Sequence, residues 1–172
     1  MNKTLFSAKR LCRAGIIAAL YVVLTYVFSP LAFGPFQIRP AEAFCILPLF
    51  FFEAVPALFV GCMISNFSSP FFLYDVVIGS HVTLIAALIS YLVGCFFKKD
   101  SVKILLGGFA PVILNAIFIP FIIVFLCGDS SQTGVWATYF ITVGSIFLTE
   151  SVWVYGLGTP LYFLFKKKVQ KR

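Results

Sequence analysis

Charged residues are scarce in this sequence. Only 11% of the 172 residues are Asp, Glu, Lys or Arg, with six acidic residues and a single histidine. A soluble domain carries about a quarter charged residues, which cover its surface, so a soluble globular protein is excluded. The 61% hydrophobic content instead requires lipid as the solvent. The composition therefore predicts an integral membrane protein.

Motifs of catalysis and of metal binding are also missing. No GxxxxGK[ST] phosphate loop, HExxH or GxSxG motif occurs, so the chain has no ATPase site of the usual kind and little equipment for a membrane enzyme. The five cysteines lie in apolar runs without CxxC spacing, which indicates neither a disulfide framework nor a zinc site. We therefore expect no enzymatic activity, no metal and no cofactor.

Positive charge is present, as a formal net charge of +7, and all the Lys and Arg residues except Arg39 lie in clusters at the ends of apolar runs. Such clusters mark cytoplasmic loops and do not indicate a nucleic-acid partner. They predict that both termini are cytoplasmic. The clusters are Lys3, Lys9, Arg10 and Arg13; Lys98, Lys99 and Lys103; and Lys166, Lys167, Lys168, Lys171 and Arg172.

Apolar runs and helix-breaking residues predict one transmembrane domain over residues 1–172, an all-α bundle of about six helices. The segment 29–40 contains three prolines and a glycine, so it is predicted to be an irregular loop. With the N-terminus inside, this loop faces outward and is a candidate substrate lid. The predicted helices are 11–28, 41–53, 55–69, 72–97, 102–126 and 135–165.

Polar side chains inside these helices are costly in lipid and are therefore candidates for function. At 1.5 Å per residue, Glu150 and His81 lie ~24–25 Å from the nearest cationic cluster on their helices, and Asn115 lies ~18 Å from its own. In a core ~30 Å thick, all three lie toward the outer face. Trp153 lies three residues after Glu150, close enough to share its face and to stack on a flat heterocycle. The pattern predicts a pocket that opens outward.

Most of these residues have a structural alternative. His81 can bond a neighbouring carbonyl, Asp75 can cap the fourth helix, and Asn115 can satisfy the backbone near a proline kink. Arg39 and Glu42 are spaced to form a local ion pair at a helix start. The sequence alone leaves both interpretations open, and it does so equally for Asn66.

The first helix carries small residues in two adjoining registers. Ala14 and Ala18 form one, and Gly15 and Ala19 form the other. Small residues four apart allow a second helix to approach closely. The second helix can belong to the same chain or to a separate membrane subunit.

Four stretches, in order along the chain, are similar to conserved stretches of a known family. They are 33–42 (FGPFQIRPAE), 56–66 (PALFVGCMISN), 74–80 (YDVVIGS) and 149–162 (TESVWVYGLGTPLY). They resemble the QueT group of the substrate-specific S components of energy-coupling-factor (ECF) transporters, which implies a prokaryotic plasma membrane. In the first stretch, Pro40 replaces a serine of the family, and His81, just after the third, stands where a small residue is expected.

The resemblance implies a six-helix bundle that takes up a queuosine precursor, a 7-deazaguanine base, together with a transmembrane T subunit and two cytoplasmic ATPases. It also implies that Ala14 and Ala18 meet the T subunit. The expected substrate site combines Glu42, Glu150 and Asn115 with Asn66 or Asp75, around a guanine-like edge and any aminomethyl cation.

Three other functions compete with this one. They are an S component for another vitamin or nucleobase-like substrate, a self-sufficient secondary transporter, and a purely structural membrane subunit. A secondary transporter would show repeated halves with interrupted helices, and no such repeat is evident. Several polar residues at one depth argue against a purely structural role.

Overall fold

The structure is a computed structural model and describes residues 7–33, 37–128 and 134–170. Its regular elements in these ranges are all helical, which confirms the all-α prediction. In chain order they are α1 (Ala8–Val27), α2 (Ser29–Ala32), α3 (Pro40–Leu49), α4 (Ala54–Ser65, extended by the turn Asn66–Ser68), α5 (Phe72–Phe96), α6 (Asp100–Leu126) and α7 (Val135–Lys168).

Four of these helices, α1, α5, α6 and α7, are long and apolar enough to cross a membrane. The other two predicted spans, 41–53 and 55–69, correspond to the shorter apolar helices α3 and α4, of ten and twelve residues. A span of about 20 residues is usual for an α-helix across the hydrocarbon core. The fold therefore has a multi-pass membrane character, and the count of six spans stays a prediction.

Helix α3 forms the centre of the bundle. It has 3₁₀ geometry, and nine of its ten residues are buried. It contacts α1, α4, α5, α6 and α7. A 3₁₀ helix rises about 2.0 Å per residue, so ten residues extend about 20 Å. An apolar surface on all sides suits this position, because a helix that is hydrophobic all round is stable only when it is enclosed.

The segment 29–40 was predicted to be irregular throughout, but the structure has one helical turn in it. Ser29–Ala32 is helical, with Pro30 near its start, where proline is tolerated because the missing N–H needs no partner within the helix. The N–H of Ile38 donates to the carbonyl of Leu31 at 3.0 Å and folds the segment back. Residues 34–36 of the predicted lid lie outside the described residues.

Three of the long helices contain a π-helical turn. The turns are Asp75–Gly79 in α5, Ile122–Leu126 in α6 and Val152–Leu157 in α7. Such turns interrupt the regular hydrogen bonds of an α-helix and occur frequently at functional sites. Two of them adjoin acidic residues, since Asp75 opens the first and Glu150 lies two residues before the third.

Ion pairs join the helices at one end of the bundle. Arg13 Nη1 lies 2.6 Å from Glu53 Oε1, and the guanidinium stacks over Phe51 at 4.2 Å. Asp100 accepts hydrogen bonds from Lys166 and, at 2.7 Å, from the Tyr162 hydroxyl. The side chain of Glu53 is only 13% exposed. Each pair fastens two elements that are far apart in the chain.

Helix α5 packs against the end of α3 with no room for a side chain at Gly94. A Cβ at this position would lie 2.5 Å from the carbonyl oxygen of Leu49 and 2.8 Å from its Cα. Because these are backbone atoms, no rotamer change relieves the clash. Gly94→Ala is therefore expected to lower the free energy of unfolding by at least about 2 kcal/mol.

The matched control for this prediction is Gly144→Ala on α7, where a Cβ meets no atom within 4 Å. Thermal unfolding of both variants in detergent measures the difference. Gly144→Ala should unfold at the wild-type temperature or slightly above it, since alanine favours a helix over glycine. Equal unfolding temperatures for the two variants would contradict the close packing of α5 on α3.

Candidate functional site

A cluster of buried polar side chains lies between α3, α4, α5, α6 and α7. Each of its charged and amide members is at most 7% exposed. Burying such groups is unfavourable unless they are paired or bind a ligand. The cluster, called the buried polar cluster below, consists of Arg39, Glu42, Asn66, Asp75, Asn115 and Glu150.

Glu42 is held from three sides in the first turn of α3. The Tyr21 hydroxyl donates to its Oε1 at 2.5 Å, and the Cys45 thiol donates to its Oε2 at 3.1 Å. Arg39 Nε lies 3.8 Å from Oε1, so the local ion pair suggested by the spacing is present. Tyr21 was not predicted, although it follows Ala14 and Ala18 on the same face of α1. Glu42 therefore has a partner at each carboxylate oxygen.

Arg39 also connects α3 to α4 and α5. Its Nη2 donates to Asn66 Oδ1 at 3.2 Å, and Asn66 Nδ2 donates to the backbone carbonyl of Asp75 at 2.7 Å. The hydroxyl of Ser69 donates to Asp75 Oδ2. Helix α5 begins at Phe72, so Asp75 is not its N-cap and points into the cluster.

The third carboxylate belongs to α7. Asn115 Nδ2 donates to Glu150 Oε1 at 3.1 Å, which joins α6 to α7. The amide of Asn115 thus donates to a side chain. This contact does not match its structural alternative, which was a hydrogen bond to the backbone near the proline kink. Glu150 lies within electrostatic reach of Glu42 and Arg39, and Asp75 within that of Arg39, so all three carboxylates interact electrostatically with one guanidinium.

Four buried polar atoms have no hydrogen-bond partner among the residues that the structure describes. Three belong to the buried polar cluster, namely Arg39 Nε, Asp75 Oδ1 and Glu150 Oε2; the fourth is Ser80 Oγ on α5. Buried polar groups are almost always satisfied, so unsatisfied atoms in three members of one cluster need an explanation. The two carboxylate oxygens are acceptors and Arg39 Nε is a donor, which suits a ligand that supplies N–H groups and an acceptor.

Two of the predicted site residues lie elsewhere. His81 is exposed, its Nδ1 lies 2.6 Å from the carbonyl oxygen of Val77, and its ring packs edge-on against Phe59. This is the structural alternative that the sequence left open. Trp153 is partly buried within the π turn of α7, whose geometry differs from the regular helix on which its predicted position relative to Glu150 was based.

The two small-residue registers of α1 have different surroundings. Ala14 and Ala18 pack against the protein's own core. The carbonyl of Ala18 lies 3.2 Å from where a Cβ of Gly61 would be, so α1 and α4 are in close contact. Gly15 and Ala19 are exposed. The intramolecular alternative therefore holds for the first register, and the second is available to a partner.

The arrangement suits binding more than catalysis. No group of three or more His, Cys, Asp or Glu residues that could hold a metal ion occurs in the described ranges. What the cluster offers is charge and hydrogen-bonding capacity, enclosed by apolar helices. Fold and site together define a multi-pass membrane protein with a cluster of buried polar side chains inside its helical bundle.

Comparison with known proteins is consistent with that class. The family model described as QueT transporter matches residues 11–167. The chain belongs to the QueT transporter family. The family and the apolar helices together identify it as a multi-pass protein of the plasma membrane.

One similar protein is the queuosine precursor transporter QueT of Lactococcus lactis subsp. cremoris (strain MG1363), with 39% identity over 87 residues. The match covers 49% of this chain and 51% of that protein, so the chain spans about half the length of the curated relative it matches. No solved structure matches the chain.

Proposed function

We propose that this chain is the S component of an ECF-type importer and captures a queuosine precursor, a 7-deazaguanine base. The observation that carries the proposal is the buried polar cluster with its unsatisfied atoms, in a chain of the QueT family that has no phosphate-binding loop. A chain that binds its substrate but has no ATPase site of the usual kind can drive ATP-dependent uptake only together with a partner.

In this proposal the chain has six membrane-crossing segments, with α3 and α4 completing the bundle and both termini in the cytoplasm. The cationic clusters support this orientation. The segment 29–40 closes over the substrate, and Arg39 at its end reaches the cluster directly. A transmembrane T subunit docks on the exposed register of α1 at Gly15 and Ala19, and two ATPase subunits act from the cytoplasm.

Binding to the purified chain tests the substrate. A radiolabelled 7-deazaguanine base should bind the chain alone in detergent, at least about tenfold more tightly than guanine or thiamine, because the N–H edge is shared with guanine but the substituent at position 7 is not. Equal binding of thiamine or no binding of any base would contradict the proposed substrate. Uptake by vesicles that require added T and ATPase subunits would support the ECF mechanism, and uptake driven by a proton gradient alone would overturn it.

A further inference from the structure

Arg39 and Glu42 form an ion pair that is not closed by a hydrogen bond. Arg39 Nε lies 3.8 Å from Glu42 Oε1, which is beyond hydrogen-bond distance. The same Nε is a buried atom without a partner among the residues that the structure describes. A guanidinium and a carboxylate that bond directly approach to about 2.7–2.9 Å. Another group must therefore hold the two side chains apart.

Tyr21 on α1 is that group. Its hydroxyl donates at 2.5 Å to Oε1 of Glu42, the oxygen that faces Arg39 Nε. The tyrosine is 0% exposed, and a Cβ on Gly61 of α4 would lie only 3.1 Å from its Cβ and 3.3 Å from its Cδ1. Because the ring is enclosed, the hydroxyl keeps its position and retains Oε1. The Cys45 thiol holds the other oxygen at 3.1 Å, so Glu42 is fixed without a direct bond to Arg39.

We propose that Tyr21 is a positioning residue, whose hydroxyl prevents Glu42 from closing on Arg39 and thereby leaves the Nε–H of Arg39 free to donate to an acceptor on the ligand. The inference rests on the proposed function, and in a 7-deazaguanine base the acceptor is the carbonyl oxygen of the ring. The guanidinium itself is kept in place by the hydrogen bond from Nη2 to Asn66 Oδ1 at 3.2 Å. Without the tyrosine hydroxyl, Oε1 needs to move only about 1 Å to accept from Nε and occupy the donor.

The variant Tyr21→Phe separates this role from a purely structural one. It removes one buried hydrogen bond, but the new bond between Glu42 and Arg39 satisfies the previously unpaired Nε. The unfolding temperature should therefore stay within about 1 °C of the wild type. The affinity for the base should fall at least about 10-fold, because a charged donor is no longer available to it. A purely structural hydroxyl would give the opposite result, a lower unfolding temperature with unchanged affinity.

The matched control is Tyr162→Phe. Tyr162 is also buried, at 1% exposed, and its hydroxyl also donates to a carboxylate, that of Asp100 at 2.7 Å, outside the buried polar cluster. In the part of the chain that the structure describes, no unsatisfied buried atom belongs to Tyr162, to Asp100 or to Lys166, the other partner of Asp100. No new bond can replace the lost one, so the unfolding temperature should fall by about 2–4 °C. The affinity for the base should stay within about twofold of the wild type.

A pair of bases that differ at one atom tests which ligand group Arg39 contacts. The 6-thio analogue of 7-deazaguanine keeps the ring N–H groups but has sulfur, a weaker acceptor, in place of the carbonyl oxygen. Equilibrium binding of both bases is measured on the purified full chain. The wild type should bind the oxygen base at least about fivefold more tightly than the sulfur base. In Tyr21→Phe the preference should fall below about twofold, because the donor that distinguishes the two bases is occupied.

Several results would overturn the inference and leave the proposed function intact. They are unchanged affinity in Tyr21→Phe, a Tyr21→Phe protein that is strongly destabilised or does not fold, no preference of the wild type for the oxygen base, and the same preference in the variant as in the wild type. Failure of the wild type to bind either base would instead count against the proposed function itself.

Discussion

Replacing Arg39 with alanine is expected to lower the free energy of unfolding by about 3–5 kcal/mol, since removing one partner from a buried ion pair leaves the other uncompensated. Arg39 is the single cation among three buried carboxylates in the described ranges, and it also bonds Asn66. Its loss leaves Glu42 without its ion-pair partner and removes the hydrogen bond to Asn66 that connects the start of α3 with the end of α4. The result is checked by thermal unfolding of detergent-purified protein.

Arg13→Ala is the matched control for this prediction. Arg13 is also paired with a glutamate, at 2.6 Å, but its side chain is 28% exposed. A partly exposed pair contributes only about 0–1 kcal/mol, so Arg13→Ala should shift the unfolding temperature little. If the two variants are equally stable, Arg39 does not compensate the buried acids. A double variant, Arg39→Met with Glu42→Gln, should recover part of the lost stability, because it removes both charges of the closest pair.

Glu150→Gln is expected to weaken binding of the proposed 7-deazaguanine base by about 10- to 100-fold, because it removes a buried acceptor that carries charge. Glutamine keeps the shape of the side chain and one carbonyl oxygen, so the hydrogen bond from Asn115 can persist. The change is therefore confined to the free Oε2 and to the charge. Binding of the purified variant by isothermal titration measures it, with unfolding temperature as the check on folding.

The matched control for this prediction is Glu53→Gln, a carboxylate outside the buried polar cluster that is paired with Arg13. It should leave the affinity for the base unchanged. An unchanged affinity in Glu150→Gln would remove Glu150 from the site. Its hydrogen bond to Asn115 would then serve only to join α6 and α7.

The sequence was sufficient to predict the class of protein and several members of the buried polar cluster. Scarcity of charge and long apolar runs predict a helical membrane protein because lipid admits only backbones whose hydrogen bonds are internally satisfied. The cost of a polar group in lipid singled out Glu150 and Asn115, which are bonded to each other. That rule depends on composition and depth alone, so it needs no knowledge of packing.

The rule does not distinguish a polar side chain that turns inward from one that turns outward. Asp75 and His81 are six residues apart on α5, and both are polar residues in an apolar helix, so the rule selects both. In the structure, however, Asp75 is buried in the cluster and His81 is exposed. The π turn Asp75–Gly79 changes the angle between successive side chains. In a helix that is apolar on all sides, the hydrophobic pattern of the sequence does not indicate that change.

The sequence by itself determined that this chain requires lipid as its solvent. It also determined which polar residues lie within apolar helices, where burial is costly unless they are paired or bind a ligand. Only the tertiary structure decided that α3 is a buried 3₁₀ helix and that the Tyr21 hydroxyl bonds Glu42, 21 positions further along the chain. It alone also decided that Ala18 packs against the core while its neighbour Ala19 is exposed. The physical reason is that pairing between distant side chains depends on how whole helices pack. In a chain that is apolar nearly everywhere, no local pattern marks which face of a helix will meet another.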